Sequence, residues 1–155
     1  MPLCVGQKAS DFDVTSSAGK KLRLSEMLGK KNVVLYFYPG DFTPVCTKET
    51  CLFRDAYEEL AEGDTEVIGV STDSDASHRK FSEKYNLPFS LVSDESRTLA
   101  KAYGATSLLR DILGKVSRIT YVIDKKGEIA GVITGELSAA KHVDEAKELI
   151  NKLRA

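Results

Sequence analysis

A continuous apolar run that leads into a cysteine-bearing segment is the feature that most constrains the fold. Residues 33–38 are all β-branched, aliphatic or aromatic, which is typical of a buried strand. Apolar residues then recur every three to four positions from about 44 to 61, which predicts a helix, and Gly63 stands where its C-terminal cap belongs. The chain therefore brings Cys46 to a strand-to-helix junction, where unpaired backbone N–H groups and the helix dipole favour an anion.

The rest of the chain extends this unit into an α/β protein. Alternating residues predict an N-terminal hairpin from 12–15 and 21–24, and a second hairpin from 119–123 and 129–133. Short strands are predicted at 66–71 and 90–92. Helices are predicted from Asp73 or Ser74 to Tyr85, from Asp94 to Tyr103, and over about 139–153. The order βαβαβαββα, with one late antiparallel hairpin, argues for a mixed sheet flanked by helices.

Composition narrows the class of protein. The 155 residues fit one domain, 1–155, and no linker or repeat suggests a boundary. A net charge of -1 gives no basic footprint for nucleic acid. The longest apolar run is far shorter than the about 20 residues that cross a membrane. The first six residues lack the features of a secretory signal, so we expect a cytoplasmic protein.

The residues around Cys46 suggest a reactive thiol. Thr43 suits an N-cap and Pro44 suits the first helical position, so that Cys46 falls at the third. An acidic side chain is common at that position, and the same donors would stabilise a thiolate. The threonine hydroxyl is expected near the sulfur, and the apolar proline is expected to shield it. The alternative is that Cys46 is a small buried apolar residue.

Cys51 follows Cys46 by five residues. In a continuous helix this spacing gives a rise of about 7.5 Å and a rotation of roughly 140° between them. A disulfide requires Cα atoms within about 7 Å and converging Cβ atoms, so the pair cannot bond unless the first turns unwind. The spacing alone leaves open whether Cys51 is a redox partner or a core residue.

Other cysteine and histidine chemistry is less consistent with the spacing. A zinc site requires four ligands in short paired spacings, and Cys4, His78 and His142 provide no second pair beside Cys46 and Cys51. We expect both histidines on solvated helix faces, among charged residues. Cys4 is expected to be a free thiol in a frayed N-terminus. Leu108, Leu109, Ile112 and Leu113 form an apolar cluster with helical spacing, which is more often part of a core than of an interface.

The segment that contains Cys46 resembles a known family. Pro39-x-x-x-Thr43-x-x-Cys46 is similar to the active-site signature of the peroxiredoxins, and the wider run from Phe37 to Glu49 resembles the Q-type subfamily, also called bacterioferritin comigratory proteins. The resemblance covers nearly the whole chain, including residues 6–12, 67–73 and 118–124.

This resemblance implies a thioredoxin-like fold and a reaction in which Cys46 attacks a peroxide and becomes a sulfenic acid, which a second thiol reverses. It implies that Cys51 is that resolving thiol, through an intramolecular disulfide formed by local unwinding. It also implies that Thr43 and Arg118 orient and stabilise the peroxide. The supporting residues that it implies are Pro39, Pro44 and Glu49.

Two of these residues have ordinary alternatives. Arg118 opens a predicted strand and by sequence alone is a solvated strand-end charge. Glu49 is one helical turn after Cys46 and by sequence alone is a first-turn acid that satisfies the helix dipole. An unpaired Glu49 charge would oppose formation of a thiolate, so its presence suits the chemistry only if it is paired, as with the arginine in the family.

The predicted function is a thiol-dependent peroxidase that reduces hydrogen peroxide and alkyl hydroperoxides and is recycled by a thioredoxin-like reductant. No metal, haem or flavin cofactor is implied, and either a monomer or a homodimer is compatible with the sequence. A general thiol–disulfide oxidoreductase would favour C-x-x-C, which is absent. A redox sensor or chaperone module that uses a switch between Cys46 and Cys51 is the alternative from another class.

Overall fold

Strands and helices alternate along the chain. The structure, a computed structural model, describes residues 2–106, 112 and 116–154. The strands are β1 (Asp13–Thr15), β2 (Lys21–Arg23), β3 (Asn32–Phe37), β4 (Thr65–Ser71), β5 (Ser90–Ser93), β6 (Ile119–Ile123) and β7 (Ile129–Thr134). The helices are α1 (Leu24–Met27), α2 (Pro44–Glu62), α3 (Asp75–Tyr85), α4 (Thr98–Ala102) and α5 (Ala139–Arg154).

The central sheet is mixed, as the sequence predicts. Its order is β5–β4–β3–β6–β7, with β3 parallel to β4 and antiparallel to β6. Both predicted hairpins are present: β1 pairs with β2 in a separate two-stranded sheet, and β6 pairs with β7. All six residues of β3 are buried, because it is the middle strand and both of its faces are covered. The end of β3 is therefore a fixed point for whatever follows it.

The two faces of the sheet carry two apolar cores. Side chains alternate along β3, so that Val34 and Tyr36 lie in one core and Leu35 and Phe37 lie in the other. The first core also contains Phe53 and Leu60 of α2 together with the apolar side of α5, and the second contains residues of the N-terminal segment and α4. Burial of each large side chain contributes about 1.5–3 kcal/mol, which holds the helices against the sheet.

Helix α2 spans both cysteines without a break. Its buried residues are Cys46, Glu49, Thr50, Phe53, Ala56 and Leu60, which follow the predicted spacing. At its C-terminus the Gly63 N–H donates to the Leu60 carbonyl at 3.0 Å. A Cβ at Gly63 would lie 2.9 Å from the Ile150 side chain of α5, so a glycine lets the two helices approach.

Two local details differ from the predictions. A short helix α1 follows β2, where no helix is predicted. Helix α4 begins at Thr98 rather than at Asp94, because Arg97 takes a left-handed conformation. The Asp94 carboxylate nevertheless accepts the backbone N–H groups of Leu99 and Ala100, at 3.1 and 2.9 Å, and so satisfies the first turn from a distance.

The N-terminus is attached to the fold rather than frayed. The Gly6 N–H donates to the Ile129 carbonyl at 2.9 Å, and Ile129 N–H donates back to the Gln7 carbonyl at 2.8 Å. Of the predicted apolar cluster at 108–113, Ile112 is 75% exposed, contrary to a core position, and Leu108, Leu109 and Leu113 lie outside the described residues.

Across the described ranges, none of the helices has both the length and the apolar character that a membrane span requires.

Candidate active site

The loop between β3 and α2 is held by hydrogen bonds to α3 and to the loop before it. The Tyr38 hydroxyl donates to Asp41 Oδ1 at 2.6 Å, and the Ser77 hydroxyl donates to Asp41 Oδ2 at 2.8 Å. The Asp41 N–H donates to Asp73 Oδ2 at 2.8 Å. Phe42 then takes a positive φ of 61°, which turns the chain into α2. These contacts fix where the first turn of α2 begins.

The start of α2 is as predicted for the backbone but not for the threonine side chain. Thr43 is the N-cap and Pro44 is the first helical residue. The Thr43 hydroxyl does not cap the helix; it donates to the Gly40 carbonyl at 2.9 Å. The side-chain cap is therefore replaced by a bond that closes the preceding loop, and the N–H groups of the first turn are left without that acceptor. Pro39 is half-buried in this loop, and Pro44 is exposed.

Cys46 is fully buried, and the group next to its sulfur is a guanidinium. Arg118 Nη2 donates to Cys46 Sγ at 3.0 Å. The same arginine is 3% exposed, and its Nε donates to the Glu136 carbonyl at 2.8 Å. A fixed cation therefore lies beside the buried sulfur. The interpretation of Arg118 as a solvated strand-end charge does not fit this geometry.

Glu49 completes the buried charge group. Its Oε1 accepts from Arg118 Nη1 at 2.7 Å, so one guanidinium contacts both the carboxylate and the sulfur. Burial raises the pKa of Glu49 to about 7, although the charge of Arg118 and its hydrogen bond lower it in part. Glu49 is therefore more than a first-turn acid that satisfies the helix dipole. It is buried and paired with the arginine.

Cys51 is separated from Cys46 by the intact helix. It is partly exposed, and both cysteines are free thiols, as is the exposed Cys4. Burial raises the pKa of the Cys51 thiol, which the nearby Arg54 lowers in part. A continuous helix places the two thiols on different sides, so this structure has the helical form in which they cannot bond.

The prediction of solvated histidines is wrong for both residues. His78 and His142 are fully buried. Burial of His78 is compatible with its polar ring, because its two ring nitrogens contact the hydroxyls of Ser17 and Ser71 at 2.9 and 2.8 Å. For His142, the sequence does contain a pattern that indicates burial. His142 lies at helical spacing from buried Ala146 and Ile150, so it belongs to the apolar stripe of α5.

One cluster of possible metal ligands is present in the described part of the chain. The donor atoms of Asp41, Asp73 and His78 lie within 4.8 Å of one another. These atoms bond protein groups: the two Asp41 oxygens accept from Tyr38 and Ser77, and Asp73 Oδ2 accepts from Ser71 at 2.7 Å. The cluster acts as a hydrogen-bonded support for the loop before Cys46.

Comparison with known proteins identifies relatives along nearly the whole chain. Residues 5–132 match the AhpC/TSA family. A chloroplastic peroxiredoxin Q from Populus jackii is 42% identical over 149 residues, which cover 96% of this chain and 68% of that protein. A chloroplastic peroxiredoxin Q from Triticum aestivum is 43% identical over 149 residues, which cover 96% of this chain and 67% of that protein.

Solved structures agree with these relatives. Peroxidoxin BcpB from Mycobacterium tuberculosis superimposes with a TM-score of 0.88 at 37% identity, covering 97% of this chain and 98% of that one. Peroxiredoxin Q from Xanthomonas campestris superimposes with a TM-score of 0.83 at 26% identity, covering 93% and 92%. The mixed sheet and its flanking helices are thus the thioredoxin-like fold of these neighbours. The chain belongs to the AhpC/TSA family, within it to the Q-type peroxiredoxins, and it is a thiol-dependent peroxidase.

Proposed function

We propose that Cys46 is the nucleophile of this peroxidase and that its substrates are hydrogen peroxide and alkyl hydroperoxides. The observation that carries the proposal is the 3.0 Å contact between Arg118 Nη2 and Cys46 Sγ in a fully buried site. A guanidinium in this place stabilises the thiolate before reaction and the negative charge that develops on oxygen during it. A Xanthomonas campestris relative of 26% identity is described by its alkyl peroxide reduction activity, which supports the substrate class.

The reaction is a displacement at oxygen. The Cys46 thiolate attacks one peroxide oxygen, an S–O bond forms and the O–O bond breaks. The electron pair of the O–O bond leaves with the second oxygen, which takes a proton and departs as water or an alcohol. Cys46 is thereby oxidised to a sulfenic acid.

The neighbouring residues have supporting roles in this proposal. Thr43, whose hydroxyl oxygen lies at the helix start, and Arg118 orient the peroxide. Pro44 has no N–H and shields the sulfur from water at the first helical position. Pro39 shapes the loop before the helix. Glu49 holds Arg118 in register through its 2.7 Å bond.

Cys51 is the resolving thiol. It attacks the sulfenic sulfur of Cys46, a disulfide forms, and the hydroxyl leaves as water. Since the helix separates the two sulfurs, the first turns of α2 must unwind before this step. A thioredoxin-like dithiol then reduces the disulfide and returns both cysteines to thiols.

Partner and location follow from the same cycle. A reducing compartment keeps Cys46 and Cys51 available, and the cytoplasm is the proposed one. The two plant relatives are named as chloroplastic proteins, so cell fractionation decides the location of this chain. The protein acts as a monomer or a homodimer, which sedimentation of the reduced form distinguishes.

The test is steady-state consumption of peroxide with thioredoxin, its reductase and NADPH. Cys46→Ser is expected to abolish turnover, whereas Cys4→Ser, which changes the exposed cysteine, serves as the matched control. Turnover that persists in Cys46→Ser would overturn the assignment. Oxidation of the cysteines without efficient turnover would favour a redox sensor instead.

The resolving step has a separate test. After one equivalent of peroxide, mass spectrometry is expected to show Cys46 linked to Cys51 within one chain, and Cys51→Ser is expected to accumulate the sulfenic acid. A lasting sulfenic acid in the unmodified chain, or a dimer linked through Cys4, would contradict the role of Cys51.

A further inference from the structure

A second buried titratable group lies behind the arginine–glutamate pair. Glu49 Oε2 is a fully buried oxygen with no hydrogen-bond partner, and it is the one side-chain oxygen or nitrogen in that state among the described residues. His142 Nδ1 of α5 lies 3.5 Å from it, and both side chains are fully buried. The mechanism above uses Oε1 of this carboxylate and leaves Oε2 and the imidazole without a role.

The hydrogen bonds of His142 determine where its protons lie. Nε2 is 2.9 Å from the Gly135 carbonyl, which only accepts, so Nε2 carries a hydrogen. In a neutral ring Nδ1 then has a lone pair, and the Thr120 hydroxyl donates to it at 2.7 Å. An ionised Glu49 would therefore have its Oε2 3.5 Å from a nitrogen that has no hydrogen to donate to it. One additional proton, on Oε2 or on Nδ1, removes this conflict.

The charge balance of the site points to the same proton. A Cys46 thiolate, the Arg118 guanidinium and an ionised Glu49 together carry one net negative charge in a fully buried place. Because burial penalises net charge, one proton on the Glu49–His142 pair makes the group neutral and favours the thiolate. The other charged or titratable groups that face the pair are Cys46 from α2, Arg118 just before β6, Tyr36 from β3, Glu136 from the segment after β7, and Lys141 from α5.

We propose that Glu49 and His142 hold one proton jointly, that this proton balances the charge of the Cys46 thiolate, and that His142 is a positioning residue acting through Glu49 and Arg118. This inference rests on the proposed function in taking Cys46 as the reacting thiolate. Burial, which raises the pKa of Glu49 to about 7, also lowers the pKa of His142. Both shifts favour a neutral acid beside a neutral ring, with the proton on Glu49.

Coupling between the pair and the thiolate is reciprocal. If the proton favours the thiolate, the thiolate must favour the proton by the same free energy. Replacement of Cys46 by an uncharged serine therefore releases the proton of the pair at lower pH. When the pair is deprotonated, the full charge of Glu49 competes for Arg118 and adds negative charge beside the peroxide, so the attack slows.

The direct test is a pH titration of the reduced chain by NMR, with ¹⁵N in the two histidines and ¹³C in the glutamate carboxyls. The expected result is one proton on Glu49 or His142 near neutral pH, with a midpoint that falls by about half a pH unit or more in Cys46→Ser. His78 is the matched buried histidine, since its ring contacts serine hydroxyls. Its signals are expected to be the same in Cys46→Ser as in the unmodified chain. An ionised Glu49 beside a neutral His142 at all values from about pH 5 to 9, or an equal midpoint in Cys46→Ser, would overturn the proposal.

The kinetic test follows sulfenic acid formation in single turnovers across pH. The unmodified chain is expected to lose rate above the midpoint of the pair. Glu49→Gln keeps an acceptor for Arg118 but cannot ionise, so its profile is expected to lack that decline, while His142→Gln shifts the decline. His78→Gln controls for the loss of a buried histidine and keeps the decline; a decline retained in Glu49→Gln contradicts the pair.

These outcomes separate the two proposals. Turnover lost in Cys46→Ser together with an unmoved NMR midpoint would overturn the proton pair and leave the peroxidase assignment standing. Turnover retained in Cys46→Ser would overturn the assignment of Cys46 itself, whatever the titration shows.

Discussion

Arg118 Nη2 donates to Cys46 Sγ at 3.0 Å across a separation of 72 residues in the chain. The same guanidinium holds Glu49 at 2.7 Å and the Glu136 carbonyl at 2.8 Å. Three acceptors in three directions fix its plane, which no single bond would do. The chemistry proposed at Cys46 therefore depends on the shape of this side chain as well as on its charge.

Arg118→Lys is expected to slow sulfenic acid formation by about 100-fold to 1,000-fold, the range for loss of one oriented donor at a developing charge. Lysine keeps the charge but cannot donate along these three fixed directions. Stopped-flow or quenched-flow rates with hydrogen peroxide measure the effect. Arg23→Lys, at an exposed arginine paired with Asp13, is the control. A rate for Arg118→Lys close to that of the control would contradict the role of the three oriented hydrogen bonds of the guanidinium.

If the first turns of α2 must unwind, a residue of lower helix propensity in those turns is expected to speed formation of the Cys46–Cys51 disulfide. Lys48 is exposed between the two cysteines, so glycine there destabilises the helix by about 1 kcal/mol relative to alanine. Lys48→Gly is expected to form the Cys46–Cys51 disulfide about fivefold faster than Lys48→Ala. Acid quenching and mass spectrometry after one equivalent of peroxide give both rates.

The matched control for this prediction is Glu58, which is exposed farther along the same helix. Glu58→Gly and Glu58→Ala differ in helix propensity by the same amount but lie outside the turns that must open. Their disulfide rates are expected to agree. Equal rates for the Lys48 variants, or the same ratio for the Glu58 variants, would count against local unwinding.

The buried Glu49 predicts a pH dependence of stability. Since burial raises its pKa from 4.5 to about 7, the folded protein binds this proton more tightly than the unfolded chain does. This contribution is fully present below about pH 4.5 and is lost as the pH rises through about 7. Relative to Glu49→Gln, the free energy of unfolding is expected to fall by about 3 kcal/mol over that window.

Urea unfolding of both proteins at several pH values measures this difference. Glu26→Gln, at an exposed glutamate of α1, controls for the loss of an acid at the surface. A difference between the unmodified chain and Glu49→Gln that stays constant with pH would show that Glu49 titrates alike in both states.

The support of the loop before Cys46 predicts a coupled pair of substitutions. Asp41→Ala removes the acceptor of the hydroxyls of Tyr38 and Ser77 and is expected to cost about 2 kcal/mol. Tyr38→Phe in that background is expected to cost less than Tyr38→Phe alone, because its partner is already gone. Urea unfolding of the four proteins gives the coupling energy, and strictly additive effects would exclude the 2.6 Å bond as a source of stability.

Local signals in the sequence predicted the sheet, the helices and the start of α2 well. Thr43, Pro44 and Cys46 occupy the predicted positions because helix starts depend on a few neighbouring residues. The side-chain bond of Thr43 differs, since its hydroxyl donates to the Gly40 carbonyl and accepts no N–H of the first turn. Arg97, whose left-handed conformation sets the start of α4, carries no such local signal.

The buried charges were harder to predict because they depend on tertiary contacts. Sequence alone favoured a solvated Arg118, and only resemblance to a family placed it near Cys46. His142 was assigned to a solvated face because charged residues surround it in sequence. Its spacing of four and eight residues from Ala146 and Ile150 places it on the buried face of the helix. The face of a helical residue depends on residues three or four positions away and not on its immediate neighbours in the chain.

The first turns of helix α2 and its later turns bury different kinds of side chain. Its first turns bury Cys46, Glu49 and Thr50, which form hydrogen bonds to Arg118 and Tyr36, whereas Phe53, Ala56 and Leu60 farther on bury apolar area. In the proposed cycle, conversion of the Cys46 thiolate to an uncharged sulfenic acid removes the charge beside Arg118 and is expected to weaken the attachment of the first turns. The later turns stay packed against the sheet because oxidation of Cys46 does not change their apolar contacts. In the proposed cycle, oxidation of Cys46 thus releases one end of the helix, and the boundary of the released part lies near Cys51.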